Sequence, residues 1–207
     1  MLSLTDKLES TMMTGIGEVE FKLAFNNVLE WYKVSENDDL KWTAKVELGW
    51  QNFFDGVGLT FETADDYEVA VKALGDLNDY IHQEPYNNNI EGDDQSGPSP
   101  KSFSYTQDAE AIYASFIFDY GIDLLDEMDK LRWEKFRALF NNLSAKSPLM
   151  RIIDIRQRST EGLEGDALTN LVEMQSYYAL EGQSTSAVDD AIGSMFNMLA
   201  VQAKQGQ

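Results

Sequence analysis

The chain has 207 residues and a formal net charge of -20, with 36 acidic and 16 basic side chains, one histidine and no cysteine. Its 43% hydrophobic and 12% aromatic residues are enough to bury a core, which excludes a disordered acidic tail. The acidic balance disfavours nucleic acid as a ligand, and the missing cysteine excludes disulfides, thiolate nucleophiles and the usual zinc sites.

The first predicted part, residues 1–84, begins with a short β-hairpin. Val19, Phe21 and Leu23 alternate with polar residues after a glycine-containing turn, a period-two pattern typical of a strand.

The N-terminus lacks a basic region followed by an apolar core, so no secretory signal is expected. The longest uncharged stretch has 13 residues, too few to span a bilayer, and we expect no membrane association.

Three helices are predicted to follow the hairpin. Apolar residues around Trp31 have helical spacing, and Asp38 or Asp39 could cap a second helix. Thr63 precedes two aspartates and a long apolar stripe, which indicates the start of a third helix. The acidic residues at these starts are favoured by the helix dipole, so they need no catalytic explanation.

Residues 85–102 are predicted to be a flexible linker. Proline, glycine, asparagine and aspartate dominate this stretch, and almost none of its side chains could join a core. The linker separates residues 1–84 from a second helical part, residues 103–182. The chain is therefore predicted to be mainly α, a multi-helix protein of two parts with a small β-hairpin near the N-terminus.

The second part should consist of four helices. Their predicted bounds are Ser104 to Gly121, 129 to 143, Ser147–Pro148 onward, and Asp166 to Gly182. Residues 183–207 are predicted to form an amphipathic C-terminal helix. Its apolar stripe could complete the local core or lie in a groove of a partner protein, and it comprises Val188, Ile192, Met195, Phe196 and Leu199.

No pattern in the sequence indicates an enzyme. Adjacent aspartates on a helix diverge by about 100 degrees and do not converge on one ligand, and no acidic run has the spacing of a calcium loop. His82 ends an apolar helical stripe, where a helix C-terminus favours it, and the glycines form no phosphate-binding fingerprint. We expect no catalytic residue, no cofactor and no metal site.

The charge is distributed unevenly. Residues 1–84 hold 17 acids and 6 lysines, a net charge of -11, whereas residues 130–158 hold eight basic residues and two acids, a net charge of +6. All five arginines lie in that window. They could pair with the acidic residues 119–129 or form a docking surface for an acidic face of another copy or a partner, and both can hold at once. The candidate interaction residues there are Arg132, Trp133, Phe136, Arg137, Arg151 and Arg156.

Several short motifs in and just before the second part are specific when they are taken as a set. They are Ser102–Tyr105, Ile112–Phe116, Tyr120–Leu124, Leu131–Phe140, Ile152–Arg156 and Tyr177–Leu180. As a set they resemble the bacteriophage gene-product-fifteen family of long-tailed phages, with a weaker likeness in residues 17–32.

The resemblance implies a tail assembly role. Such a protein would act as a tail assembly chaperone component that binds the tape-measure protein and helps recruit the tail-tube protein in the host cytoplasm. The implied partners also include a companion tail chaperone and further copies of the chain. An acidic helical protein with apolar patches is suited to keeping a helical client soluble.

Two other functions are compatible with the sequence. The protein could instead be a minor structural protein retained in the phage tail. It could also be an acidic DNA-mimic inhibitor of a host enzyme, but the net charge of +6 in residues 130–158 argues against that function.

Overall fold

The computed structural model describes residues 2–83 and 102–180. Over these residues the chain is mainly α, with a two-stranded antiparallel hairpin near the N-terminus, and this confirms the predicted fold class. The strands are β1 Thr11–Thr14 and β2 Gly17–Glu20. The helices of the described residues are α1 Phe25–Glu36, α2 Trp42–Phe54, α3 Ala64–His82, α4 Ala109–Tyr120, α5 Trp133–Phe140, α6 Pro148–Gln157 and α7 Gly165–Tyr177.

The described chain forms two compact units. Residues 2–83 and 128–136 form the first unit, and residues 102–127 and 137–180 form the second. Residues 128–136 belong to the predicted second part, 103–182, but in the structure they pack with the first unit. Of the predicted linker 85–102 only Ser102 is described, and the predicted C-terminal helix 183–207 lies outside the described residues.

The first unit is built around large aromatic side chains. Trp31 of α1 is 2% exposed, and Trp50, Phe53 and Phe54 of α2 are 0%, 1% and 2% exposed. α3 carries a capping box in which the Thr63 side chain accepts a hydrogen bond from a backbone N–H of the first turn, as the sequence indicated. Burial of these rings supplies most of the driving force for this unit to fold.

A later segment of the chain completes the first unit. Ala24 and Arg132 form an antiparallel bridge, in which the Phe25 N–H donates to the Leu131 carbonyl over 2.9 Å and the Trp133 N–H donates to the Leu23 carbonyl over 2.8 Å. These bonds require extended backbone at residues 131–133. Helix α5 therefore begins at Trp133, four residues later than predicted.

The second unit consists of α4, α6, α7 and the end of α5. α4 ends at Gly121, whose φ of 65° is the left-handed conformation that glycine accommodates without strain. α6 begins with Ser147 as its N-cap and proline in its first turn. Both boundaries agree with the sequence-based prediction.

Two other helix starts, those of α2 and α4, also differ from the prediction. Helix α2 begins after Lys41, and Asp38 and Asp39 lie in a turn that is stabilised by the Asn37 side chain, whose oxygen accepts the Asp39 N–H over 2.9 Å. Helix α4 begins after Asp108 instead of Ser104. In both cases a polar side chain that could cap a helix stabilises the preceding turn instead.

Candidate interaction surfaces

Arg132 is held in the first unit by hydrogen bonds to two residues. Its guanidinium donates to both carboxylate oxygens of Glu134, over 2.8 and 3.2 Å, and to the backbone carbonyl of Glu9 over 2.7 Å. The Glu134 side chain is 2% exposed, and its carboxylate also accepts the Tyr80 hydroxyl over 2.9 Å. Burial and this hydrogen bond raise the pKa of Tyr80 to about 12.

Trp133 and Phe136 are core residues of the first unit. They are 3% and 0% exposed, and their rings stack with centroids 5.5 Å apart. The Trp133 indole N–H donates to the Ile81 carbonyl over 3.2 Å, and Phe136 stacks on Phe25 with centroids 5.0 Å apart. These two rings stabilise the fold and are not available on its surface.

Arg156 joins three segments of the second unit. Its guanidinium makes two hydrogen bonds to the Asp108 carboxylate, over 2.7 and 2.8 Å, and donates to the carbonyls of Ser102 and Tyr178 over 3.0 and 2.6 Å. The Arg156 side chain is 10% exposed and that of Asp108 is 6% exposed. This arginine therefore closes the unit internally.

The remaining arginines differ in their environment. Arg158 pairs with Asp154 of α6, and both side chains are exposed. Arg137 is half-buried near Tyr105. Burial raises the pKa of the Tyr105 hydroxyl, and the nearby Arg137 charge offsets only part of that increase. Arg151 is exposed on α6.

The predicted pairing with residues 119–129 does not hold for Arg132, Arg156 and Arg158, whose carboxylate partners lie elsewhere. Asp119 instead accepts hydrogen bonds from the backbone and hydroxyl of Ser144, each over 2.7 Å.

The apolar candidate residues of the C-terminal stripe, Val188, Ile192, Met195, Phe196 and Leu199, lie outside the described residues. Within the described residues, large apolar side chains are exposed on both units. The most exposed of them are Leu4 (100%), Tyr177 (81%), Met13 (76%), Leu125 (69%), Phe118 (58%) and Val57 (56%).

The first unit also carries a group of half-buried aromatic rings that no pattern in the sequence predicts. The Tyr67 ring lies 5.5 Å from Trp42 and 5.1 Å from Phe61, measured between centroids. Tyr67 also donates its hydroxyl to the Glu47 carboxylate. Only the aromatic composition around these positions could have indicated the cluster, because Trp42 and Tyr67 lie on different helices.

The described residues show no arrangement for metal binding. Across 2–83 and 102–180, no three His, Asp or Glu side chains come together as a metal site would require. None of the described helices has the length and apolarity that a bilayer crossing requires.

Most of the chain matches the model of a known protein family. The family model for Bacteriophage Gp15 protein matches residues 4–180, which include both units. The chain belongs to the bacteriophage Gp15 family. This family places it among phage structural or assembly proteins. Searches of curated proteins and of solved structures found no match.

Proposed function

We propose that this Gp15-family protein is a tail assembly chaperone component. It binds the tape-measure protein, keeps it soluble and helps recruit tail-tube subunits, together with a companion tail chaperone and with further copies of itself. It acts in the host cytoplasm and catalyses no reaction.

The observation that carries the proposal is the combination of exposed apolar side chains with a strongly acidic surface. Phe118 and Leu125 of the second unit are 58% and 69% exposed, and Met13 of the first unit is 76% exposed. The described residues of both units are acidic, with net charges of -9 and -6. Apolar contacts can hold a client chain while the net charge prevents aggregation of the complex.

Co-expression with the tape-measure protein tests this function. The soluble yield of the tape-measure protein should rise in the presence of the Gp15-family protein, and the two should co-purify. Replacing two exposed apolar residues, Phe118→Ser with Leu125→Ser, should reduce both effects. The matched control is Gln157→Ser with Asn170→Ser, which changes two exposed polar residues of the same unit.

An unchanged yield without co-purification would contradict the chaperone role. Mass spectrometry of purified phage particles separates this role from that of a minor structural protein, because a chaperone should be absent from the particle.

A further inference from the structure

The aromatic cluster of the first unit has the properties of a binding surface. Trp42 of α2, Tyr67 of α3 and Phe61 of the connecting loop form this cluster, here named the aromatic triad, and all three residues are half-buried. The other tryptophans, Trp31, Trp50 and Trp133, are at most 3% exposed. Trp42 is thus the one tryptophan of the chain that solvent reaches.

The loop before α3 holds the triad at a conformational cost. Phe61 has a φ of 59°, in the left-handed region that a bulky residue rarely adopts. Contact with the Tyr67 ring fixes Phe61 in this position. The loop therefore holds the Phe61 side chain beside Tyr67, although the left-handed backbone conformation is unfavourable for phenylalanine.

The segment that carries Phe61 and Tyr67 is acidic, whereas Trp42 follows the exposed Lys41. Residues 61–68 contain four carboxylates and no basic residue. Glu62 and Asp65 are exposed, and neither side chain has a partner among the described residues. Aromatic faces beside unpaired carboxylates are a favourable environment for a guanidinium or ammonium group.

The second unit carries complementary groups. Arg151 and Lys146 are exposed at the start of α6, and neither has a partner in the part of the chain that the structure describes. Arg132, Arg156 and Arg158, in contrast, each form an ion pair with a carboxylate of their own unit. Arg151 and Lys146 thus remain available to another molecule.

We propose that the aromatic triad of one copy binds Arg151 and Lys146 of a second copy. The guanidinium of Arg151 lies on the accessible parts of the half-buried rings, and Glu62 and Asp65 supply the opposite charge. The contact joins different surfaces of two copies, so a bound pair of copies retains one free surface of each kind and can add further copies. This inference specifies the self-association included in the proposed function and rests on that part alone.

Charge reversal on either surface tests the contact. Sedimentation velocity at low ionic strength should show self-association of the unmodified chain, and high ionic strength should weaken it. Arg151→Glu with Lys146→Glu, or Glu62→Lys with Asp65→Lys, should each weaken self-association by about tenfold or more. Glu161→Lys with Glu173→Lys reverses two exposed acids of the second unit and should leave association unchanged.

Mixing the two defective variants is the decisive experiment. Each variant retains the surface that the other lacks, so the mixture should associate although neither variant does so alone. Binding should also protect Trp42 from quenching by acrylamide in the mixture. Circular dichroism of each variant alone confirms that the helices are intact.

The proposal is overturned if the unmodified chain remains monomeric at all concentrations, or if both defective variants associate normally. It is equally overturned if the folded variants fail to combine, or if Trp42 becomes protected only when the tape-measure protein is added. The soluble yield of the tape-measure protein is measured in parallel, so that loss of the chaperone role is distinguishable from loss of self-association.

Discussion

Arg156 donates two parallel hydrogen bonds to the carboxylate of Asp108, over 2.7 and 2.8 Å, at a place where both side chains are almost fully buried. Asp108 is the residue that precedes α4, and Arg156 lies in the last turn of α6. The carbonyls of Ser102 and Tyr178 accept the remaining bonds of the guanidinium. One side chain therefore connects the beginning, the middle and the end of the second unit.

Replacing Arg156 by lysine should destabilise this unit. Lysine retains the charge but cannot form the two parallel bonds to Asp108 together with the two carbonyl contacts. We expect a loss of about 2–3 kcal/mol in the free energy of unfolding. Hydrogen exchange of residues 102–127 and 137–180 measures the loss where it occurs.

The control for this variant is Arg158→Lys, which alters an exposed pair with Asp154 and should cost less than about 0.5 kcal/mol. Equal effects of the two substitutions would contradict the special role of Arg156.

A second connection within this unit joins Ser115 of α4 to the start of α6. The Ser115 hydroxyl oxygen accepts the Leu149 N–H over 2.9 Å, and the hydroxyl itself donates to the Ala111 carbonyl over 2.6 Å. Pro148 has no N–H, and the Ser147 side chain accepts the Met150 N–H over 3.5 Å. The first N–H groups of α6 are thus satisfied partly by another helix.

Ser115→Ala should leave the buried Leu149 N–H without an acceptor. The expected cost is about 1–3 kcal/mol, because a buried unpaired donor loses its hydration without compensation. Urea denaturation followed by circular dichroism measures this cost. Ser176→Ala, at an exposed position of α7, should have almost no effect, and a comparable loss there would show that the method does not resolve the Ser115 contact.

Local signals in the sequence were sufficient to predict several helix boundaries. Thr63, Gly121 and the Ser147–Pro148 pair act within one turn of their own helix, so their effect depends on neighbouring residues alone. The family resemblance was likewise carried by short motifs and is confirmed by the match over residues 4–180.

Contacts between distant parts of the chain could not be predicted from such local signals. Residues 131–133 pair with residues 23–25, more than 100 positions earlier, and no periodic pattern reports such a bridge. The motif around Trp133 therefore looked like part of a second helical domain, although its rings are buried in the first unit. The aromatic triad could not be predicted either, because its three residues lie in different elements that meet only in the folded unit.

Gly49 permits the close packing of three helices in the first unit. A methyl group on its Cα would lie 2.7 Å from a ring carbon of Trp31 in α1 and 3.1 Å from a methyl group of Leu74 in α3. Both neighbours are buried, so neither side chain can move without disturbing the core.

Gly49→Ala should therefore destabilise the first unit although alanine favours helix. Overpacking costs about 1–3 kcal/mol and the gain in helix propensity is at most about 1 kcal/mol, so the net effect is a loss. Urea denaturation followed by tryptophan fluorescence measures it, since all four tryptophans lie in this unit. The control Gln51→Ala changes an exposed position of α2, and a stabilising effect of Gly49→Ala would contradict the packing argument.

Tyr80 should make the stability of the first unit sensitive to alkaline pH. Burial and the hydrogen bond to the Glu134 carboxylate raise its pKa to about 12 in the folded protein, whereas an unfolded tyrosine has a pKa of about 10. The folded state binds this proton more tightly, so the contribution to stability is complete below about pH 10 and is lost as the pH rises towards about 12.

Replacing Tyr80 by phenylalanine should remove this pH dependence. Glu134 retains its two hydrogen bonds from Arg132 in the variant, so the carboxylate is not left unpaired. The difference in unfolding free energy between the unmodified chain and Tyr80→Phe should be constant between about pH 8 and 9 and should shrink between about pH 10 and 12. Tyr177→Phe controls for loss of a hydroxyl at a position that is 81% exposed. A difference that stays constant up to about pH 12 would show that Tyr80 ionises equally readily in the folded and unfolded chains.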